Sequence, residues 1–323
     1  MAQPANTFDT YVAIGNREDL QDKIYMVSPE ATPVLSAGRR FKAEAKTHEW
    51  QRDVLATPNP ANAVIEGDDR AGTVLLATAR VANLMQLMDK VATVSSSQEK
   101  TTAAGRPSEM KYQVAKAFKE LKRDLEARIV SNSPAVVGSN VLARQAAGLG
   151  CLLFTNVSHG ATGSTTAHTA GSAIVAPVAG TARPFTEALV KTVMQSIYTQ
   201  SGEMPTFMSM TPSHKGIFST FTGIALNRYD IPRGKQAVVV GGADLYMSDF
   251  GTLSIVPNYI QATSASADVF ILNPETYGVA YLQDFQSTPL AKTGHTSREL
   301  VLVEATLVVT AERANGKIAA LTP

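Results

Sequence analysis

EDLQDKIYMVSPEATPVLSAG (Glu18–Gly38), THEWQRDVL (Thr47–Leu55) and AVIEGDD (Ala63–Asp69) decide how this chain is read. A chain of 323 residues ordinarily opens with an apolar strand or an amphipathic helix that starts a core. These opening segments can bury little on their own. Pro29 and Pro33 interrupt the first of them. A short helix is expected over Glu18–Tyr25, with Leu20 and Ile24 on one face. Ser28-Pro29 stops it, because proline disfavours a helical residue before it. In the second segment His48, Trp50, Arg52 and Val54 fall on one side of a strand, and Thr47, Glu49, Gln51 and Asp53 on the other. Both faces are mostly polar. TPNPANA (Thr57–Ala63) and EGDDRAG (Glu66–Gly72) read as turns or loops.

Working outward, the bulk composition is that of an ordinary folded protein, with 44% hydrophobic and 18% charged residues. There is room for one large or two medium domains. No apolar run is long enough for a membrane span, and MAQPANTFDTY carries no visible secretory signal. A net charge of +1 argues against a dedicated nucleic-acid reader. Cys151 is the single cysteine, so neither an intrachain disulfide nor a multi-cysteine metal site is available. It sits in the apolar run GLGCLLF and reads as a buried, inert thiol.

Residues 108–131 form the clearest element. Met110, Val114, Phe118, Leu121, Leu125 and Ile129 make one apolar stripe, with Lys111, Lys116, Lys119, Glu120, Lys122, Arg123, Asp124, Glu126 and Arg128 on the other faces. Ser108 is a suitable N-cap, and the helix would run about 33–36 Å. Residues 73–94 are ambiguous: Val81, Leu84, Met85, Met88 and Val91 keep helical spacing, while Thr93, Val94 and Ser95–Ser97 favour a strand end. The Ala/Thr/Ser/Gly-rich stretch 155–182 is loop material separating two parts of one fold.

Beyond it, a helix is expected over 185–201, with Leu189, Val193 and Ile197 inward and Gly202 past its end. FMSM (Phe207–Met210) is a short strand. Thr211 or Ser213 caps a helix from His214 to about Asn227. QAVVVGG (Gln236–Gly242), TLSIVPNYI (Thr252–Ile260, Pro257 hinting at an edge or bulge), DVFILNP and YGVAYLQDF read as strands. So does ELVLVEATLVVTA (Glu299–Ala311), from which Ala314–Lys317 would turn a hairpin into KIAAL.

Catalytic motifs are weak. VVVGGADLY (Val238–Tyr246) lacks the spacing of a dinucleotide loop, and GATGST (Gly160–Thr165) lacks the lysine of a phosphate loop. His48, His159, His168, His214 and His295 form no metal-binding pair on a helix, although His159 and His168 could meet across a loop. No nucleophile elbow is present. No catalytic, cofactor-binding or metal residue is therefore assigned. Trp50 reads either as a local packing residue or as an anchor at a subunit contact, where tryptophan carries disproportionate binding energy.

EDL (18–20), SPEATP (28–33), HEWQRD (48–53) and EGDD (66–69), in this order and followed by the one-sided helix at 108–131, resemble a family of tailed-phage major head proteins. That family, typified by short-tailed phages with elongated heads, has the α+β capsid fold first described for phage Hong Kong 97. The resemblance implies an N-terminal arm (1–40), an extended hairpin loop (41–105), a peripheral domain (106–185 and 286–323) with the spine helix 108–131, and an axial domain (186–285). It turns 73–94 into a strand returning from the hairpin.

The resemblance also implies a non-enzymatic structural protein that self-assembles into hexamers and pentamers. These form the icosahedral or prolate head shell around the double-stranded DNA genome. Glu49, Trp50, Arg52, Asp53, Glu66, Asp68 and Asp69 are then candidate subunit-interface residues. Val114, Phe118, Leu121, Leu125 and Ile129 form the core face of the spine. The expected partners are further copies of the chain, a portal, scaffolding or decoration proteins and non-specifically held DNA, with no membrane and no cofactor. The protein would be made in the host cytoplasm and end in the virion, and its lack of a scaffolding extension implies a separate scaffold. Cross-linking of subunits is not among the implied properties. The competing readings are a nucleotide-dependent α/β enzyme built on the Gly241-Gly242 turn with Asp244, and a phage tail-tube or decoration subunit.

Overall fold

The computed structural model describes residues 28–67, 77–168, 174–221, 244–263 and 267–322, with isolated positions 7, 14, 24, 26, 69, 72 and 75. The helix expected over Glu18–Tyr25 (Ile24 apart) and the strand over Gln236–Gly242 lie outside them. In chain order the elements are α1 (Pro33–Ala37), β1 (Arg39–Lys42), β2 (Thr47–Arg52), β3 (Ala79–Leu84), β4 (Gln86–Ser95), α2 (Ser96–Lys100), α3 (Glu109–Ile129), α4 (Leu149–Leu152) and β5 (Val157–Ser158). There follow α5 (Glu187–Ser201), β6 (Phe207–Met210), α6 (Pro212–Phe218), β7 (Leu245–Ser248), β8 (Gly251–Pro257), α7 (Tyr259–Thr263), β9 (Val269–Leu272), β10 (Tyr277–Pro289), β11 (Thr296–Val309) and β12 (Gly316–Ile318).

Two main sheets organise these elements. The first has the order β1-β10-β11-β4, and the second β5-β12-β9-β6-β8-β7. A separate two-stranded ladder joins β2 to β3. Helix α3 lies on the first sheet. Leu125 and Ile129 pack with Val303, Ala305 and Leu307. Leu121 and Ala117 pack on Val301, with Val114 and Phe118 half-buried beside them. Ser108 caps the helix, its hydroxyl accepting from Lys111 N at 3.3 Å. Lys90 on β4 pairs with both Glu120 and Asp124 of α3 at 3.1 Å, so charges flank the apolar seam.

Helix α5 covers the second sheet, burying Val190, Val193, Met194 and Ile197 against Met208, Met210, Leu253, Ile255 and Ile271. Gly202, at φ +70°, ends it and donates its N–H to Tyr198 O at 2.8 Å. That left-handed position is where glycine carries no Cβ penalty. Thr211 caps α6, its hydroxyl accepting from His214 N at 3.2 Å. The helix stops at Phe218, short of the Asn227 end expected from the sequence.

Residues 79–84 and 86–95 are strand, as the resemblance implies, although the apolar spacing on its own leans to helix. β4 makes an unbroken antiparallel ladder with β11, from Gln86↔Ala305 to Ser95↔Thr296. Its burial alternates, with Met88, Lys90, Ala92 and Val94 inward and Leu87 and Val91 outward. Covering the edge of β11 satisfies backbone groups that a helix would leave open. The strand expected over Thr252–Ile260 ends at Pro257, where α7 follows.

β12 does not form a hairpin with β11. A 3-10 turn at Glu312–Ala314 diverts the chain, and β12 pairs with β9 and β5 in the second sheet. Asn315 stays extended, and its side chain acts as a tie. Oδ1 accepts from Asn273 N at 2.9 Å and Nδ2 donates to Thr276 Oγ1 at 2.8 Å. The expected domain boundary at 285/286 falls inside β10, which belongs wholly to the first sheet. Within 155–182, Gly160, Gly163 and Gly180 sit so close to the backbone of Ala161, Ala179 and Thr181 that any Cβ would clash. Among the described residues of this stretch, 160–163 fold tightly against 179–181, and Val157–Ser158 form β5.

Candidate subunit interface

The ladder of β2 and β3 runs from Thr47↔Leu84 to Arg52↔Ala79, and Trp50 faces Val81. Its base is fixed by buried polar contacts. Asn83 donates from Nδ2 to Leu307 O at 2.9 Å and to Ala147 O at 3.3 Å. Its Oδ1 accepts from Ala147 N at 2.9 Å. Arg144 donates to Met85 O at 2.8 Å and pairs with Glu304. Trp50 packs on the cluster of Ala43, Met85, Ala280 and Val308. The hairpin is therefore rigid where it leaves the first sheet.

Beyond the ladder the surroundings change. Every described residue from 53 to 80 is exposed. Among them are Leu55 (95%), Ile65 (79%) and Leu75 (90%), with Val54 and Val64 also open. These apolar side chains are left open to solvent by their own chain.

The candidate residues divide along this line. Glu49 is exposed and pairs with Arg80 at 3.2 Å. Trp50 is half-buried in its own chain, although its Nε1 is buried without a hydrogen-bond partner among the described residues. Arg52 is also engaged at home. It donates to His168 O at 3.3 Å and lies over the Phe154 ring, and burial lowers its pKa. Asp53 accepts from Val54 N at 2.8 Å. Glu66 and Asp69 are exposed at the outer end, and Asp68 lies outside the described residues.

The arm is held by a residue assigned above to a polar face. Glu126 has no exposed surface. Its carboxylate accepts from Val34 N at 3.0 Å, Leu35 N at 2.7 Å and Asn258 Nδ2 at 2.7 Å. Thr32 makes no side-chain cap for α1, so Glu126 takes that role from α3. Burial raises its pKa, against the lowering effect of these hydrogen bonds. An acid within one turn of Leu125 and Ile129 was the available sequence signal. Asn83 and Arg144 carried none.

The groups weighed for chemistry are dispersed. His159 bonds to Thr165 Oγ1 at 2.6 Å, whereas His168 Nε2 bonds to Cys151 O. The two do not meet. Burial pushes the Cys151 thiol up to about 11. His214 is buried between Thr211 Oγ1 and Thr322 O. Asp244 is paired with Lys215 at 2.8 Å, and Gly241 and Gly242 lie outside the described residues. No helix among the described residues is long and apolar enough to cross a membrane.

Comparison with known proteins agrees with this architecture. A curated major capsid protein of Escherichia phage Phieco32 is 33% identical over 131 residues, covering 41% of this chain and 37% of that protein. The alignment thus spans little more than a third of that relative. The structure titled Gordonia phage Cozz superposes with a TM-score of 0.60 at 10% identity, covering 99% of this chain and 97% of the other. The capsid of a native GTA particle gives 0.61 at 10% identity, covering 97% and 98%. These likenesses establish the Hong Kong 97-type capsid fold. The family model for the SU10 major capsid protein matches residues 3–322, and the chain belongs to that family of tailed-phage shell proteins.

Proposed function

We propose that copies of this chain associate as hexamers and pentamers that close into an icosahedral or prolate head shell, each hairpin lying over a neighbouring copy. The carrying observation is the exposed hairpin with Val54, Leu55, Val64, Ile65 and Leu75 uncovered by their own chain. Burying such side chains contributes about 1.5–3 kcal/mol each, and heterologous contacts of this kind close by symmetry. Glu66, Asp68 and Asp69 supply rim contacts at the outer end, with Glu49 and Asp53 nearer the base. Trp50 and Arg52 hold the base in register. Rim pairs contribute about 0–1 kcal/mol each, but a shell repeats them many times.

In this reading the protein is structural, without enzymatic turnover. Its first sheet with α3 forms the peripheral part, and its second sheet with α5 the axial part. Packaged double-stranded DNA is held by weak sequence-independent contact. A portal and a separate scaffold complete the assembly, with decoration proteins as further partners. Shell expansion uses a bistable packing of hairpin and spine helix.

Replacing residues 54–77 by a short Gly/Ser turn keeps the β2–β3 ladder and removes the outer hairpin. The variant should remain folded, with near-native far-ultraviolet dichroism, and should form no shells by negative-stain microscopy under salt conditions where the unaltered chain does. Normal shells from the shortened chain would refute the hairpin's role.

A further inference from the structure

The foot of the exposed hairpin stands on two supports. Trp50 and Asn83 tie it to the first sheet. Arg52, the last residue of β2, ties it to the chain that follows α4. Its guanidinium carbon lies 5.3 Å from the centre of the Phe154 ring, and Nη2 donates to His168 O at 3.3 Å. The His168 ring meets the same Phe154 ring nearly at right angles, with centres 5.5 Å apart. Phe154 is itself pinned to the 3-10 turn before β12, because Glu312 accepts from Phe154 N at 2.8 Å and from Thr155 N at 2.7 Å.

His168 is 5% exposed. Its Nε2 faces Cys151 O, so Nε2 carries the hydrogen and Nδ1 the lone pair. Nδ1 is buried with no hydrogen-bond partner among the described residues. A proton arriving there meets no acceptor and puts a second positive charge beside Arg52. The groups that face the ring are Arg52 from β2, Cys151 from α4 and Glu312 from the 3-10 turn. Cys151 offers its backbone carbonyl, and Glu312 is occupied by Phe154 N, Thr155 N and Thr155 Oγ1. Arg313, in the same turn, adds positive charge near Arg52.

We propose that His168 is a proton-operated latch on the hairpin: protonation at Nδ1 drives Arg52 off Phe154 and frees the outer hairpin to swing about the Trp50 rung. Like charges this close disfavour one another. Arg52 stays charged over the range in which histidine titrates, so His168 is the group that switches. Burial, the largest influence, lowers the proton affinity of His168, and Arg52 lowers it further, against the Cys151 carbonyl and Glu312. The closed latch thus binds the proton less well than the open one. It is complete above the ordinary histidine value of 6.5 and is lost as pH falls below it. The latch belongs to the single chain and stands whether or not the hairpin lies on a neighbour.

A nitroxide on Thr57→Cys, in the exposed hairpin, reads the motion in the unassembled chain, while buried Cys151 stays unlabelled. Its electron paramagnetic resonance spectrum is followed from about pH 8 to about pH 5. In the otherwise wild-type protein the label should pass from restricted to mobile with one midpoint below 6.5, and far-ultraviolet dichroism should not change. His168→Gln, whose carboxamide still donates to Cys151 O but takes no proton, should stay restricted throughout. Arg52→Ala should be mobile throughout, and it stands in for His168→Gln if that variant fails to fold. A wild-type spectrum that does not change with pH overturns the proposal. So does a transition that survives in either variant, which would assign the motion to another group such as His48, or one accompanied by loss of dichroism, which would be general unfolding.

Discussion

Leu125→Asp should leave the chain insoluble or unfolded at room temperature. Leu125 is 3% exposed and sits on α3 among Ile129, Val303, Ala305 and Leu307. Removing the leucine side chain alone costs about 2–5 kcal/mol. An aspartate adds the penalty of a buried charge. A net stability of about 5–15 kcal/mol has little left after both. Lys111→Asp, on the exposed face of the same helix, serves as the control and should change stability by no more than about 0.5 kcal/mol. Soluble yield and thermal melting distinguish the two. A Leu125→Asp protein melting like wild type would mean that α3 does not pack on the first sheet.

Glu126→Ala should detach the arm from the spine helix. The substitution leaves Val34 N, Leu35 N and Asn258 Nδ2 without an acceptor in a buried place. Each stranded donor costs about 1–3 kcal/mol, so a loss of about 3–9 kcal/mol is expected for the three, with faster proteolysis around residues 30–40. The pH dependence has a definite sign. Burial raises the folded pKa of Glu126 above its ordinary value of 4.5, so the folded state binds this proton more tightly than the unfolded chain does. Its stabilising contribution is complete below about 4.5 and is lost as pH rises through the elevated folded value. The stability of wild type relative to Glu126→Gln should therefore fall over that range in urea titrations. A constant difference, or one that grows with pH, would show that burial does not dominate this carboxyl.

Local physics made part of this protein legible. The spacing from Met110 to Ile129 is a helix stripe that needs only one covering surface. Ser108 caps it, Gly202 ends α5, and Thr211 starts α6, each through contacts within a few residues. The β-branched runs at 269–272 and 299–309 admit little but strand. Where the sequence signal was ambiguous, at Val81–Val91, a helical apolar spacing coincided with two strands, and pairing with β2 and with β11 decided between them. The ordered strings between Glu18 and Asp69 carried the family resemblance without any core to read.

The amino-acid sequence by itself determined the spine helix, the strand-rich second half and a first segment that cannot bury itself. These depend on side-chain spacing and on turn and cap chemistry between near neighbours. Only the tertiary structure decided the crossing of β12 into the second sheet, the capping of α1 by Glu126, the anchoring of the hairpin through Asn83, and the meeting of Arg52, Phe154 and His168. Each of these joins residues far apart in the chain. Their free energy depends on burial and on which partner fills the remaining hydrogen bond, and neither is encoded in local spacing.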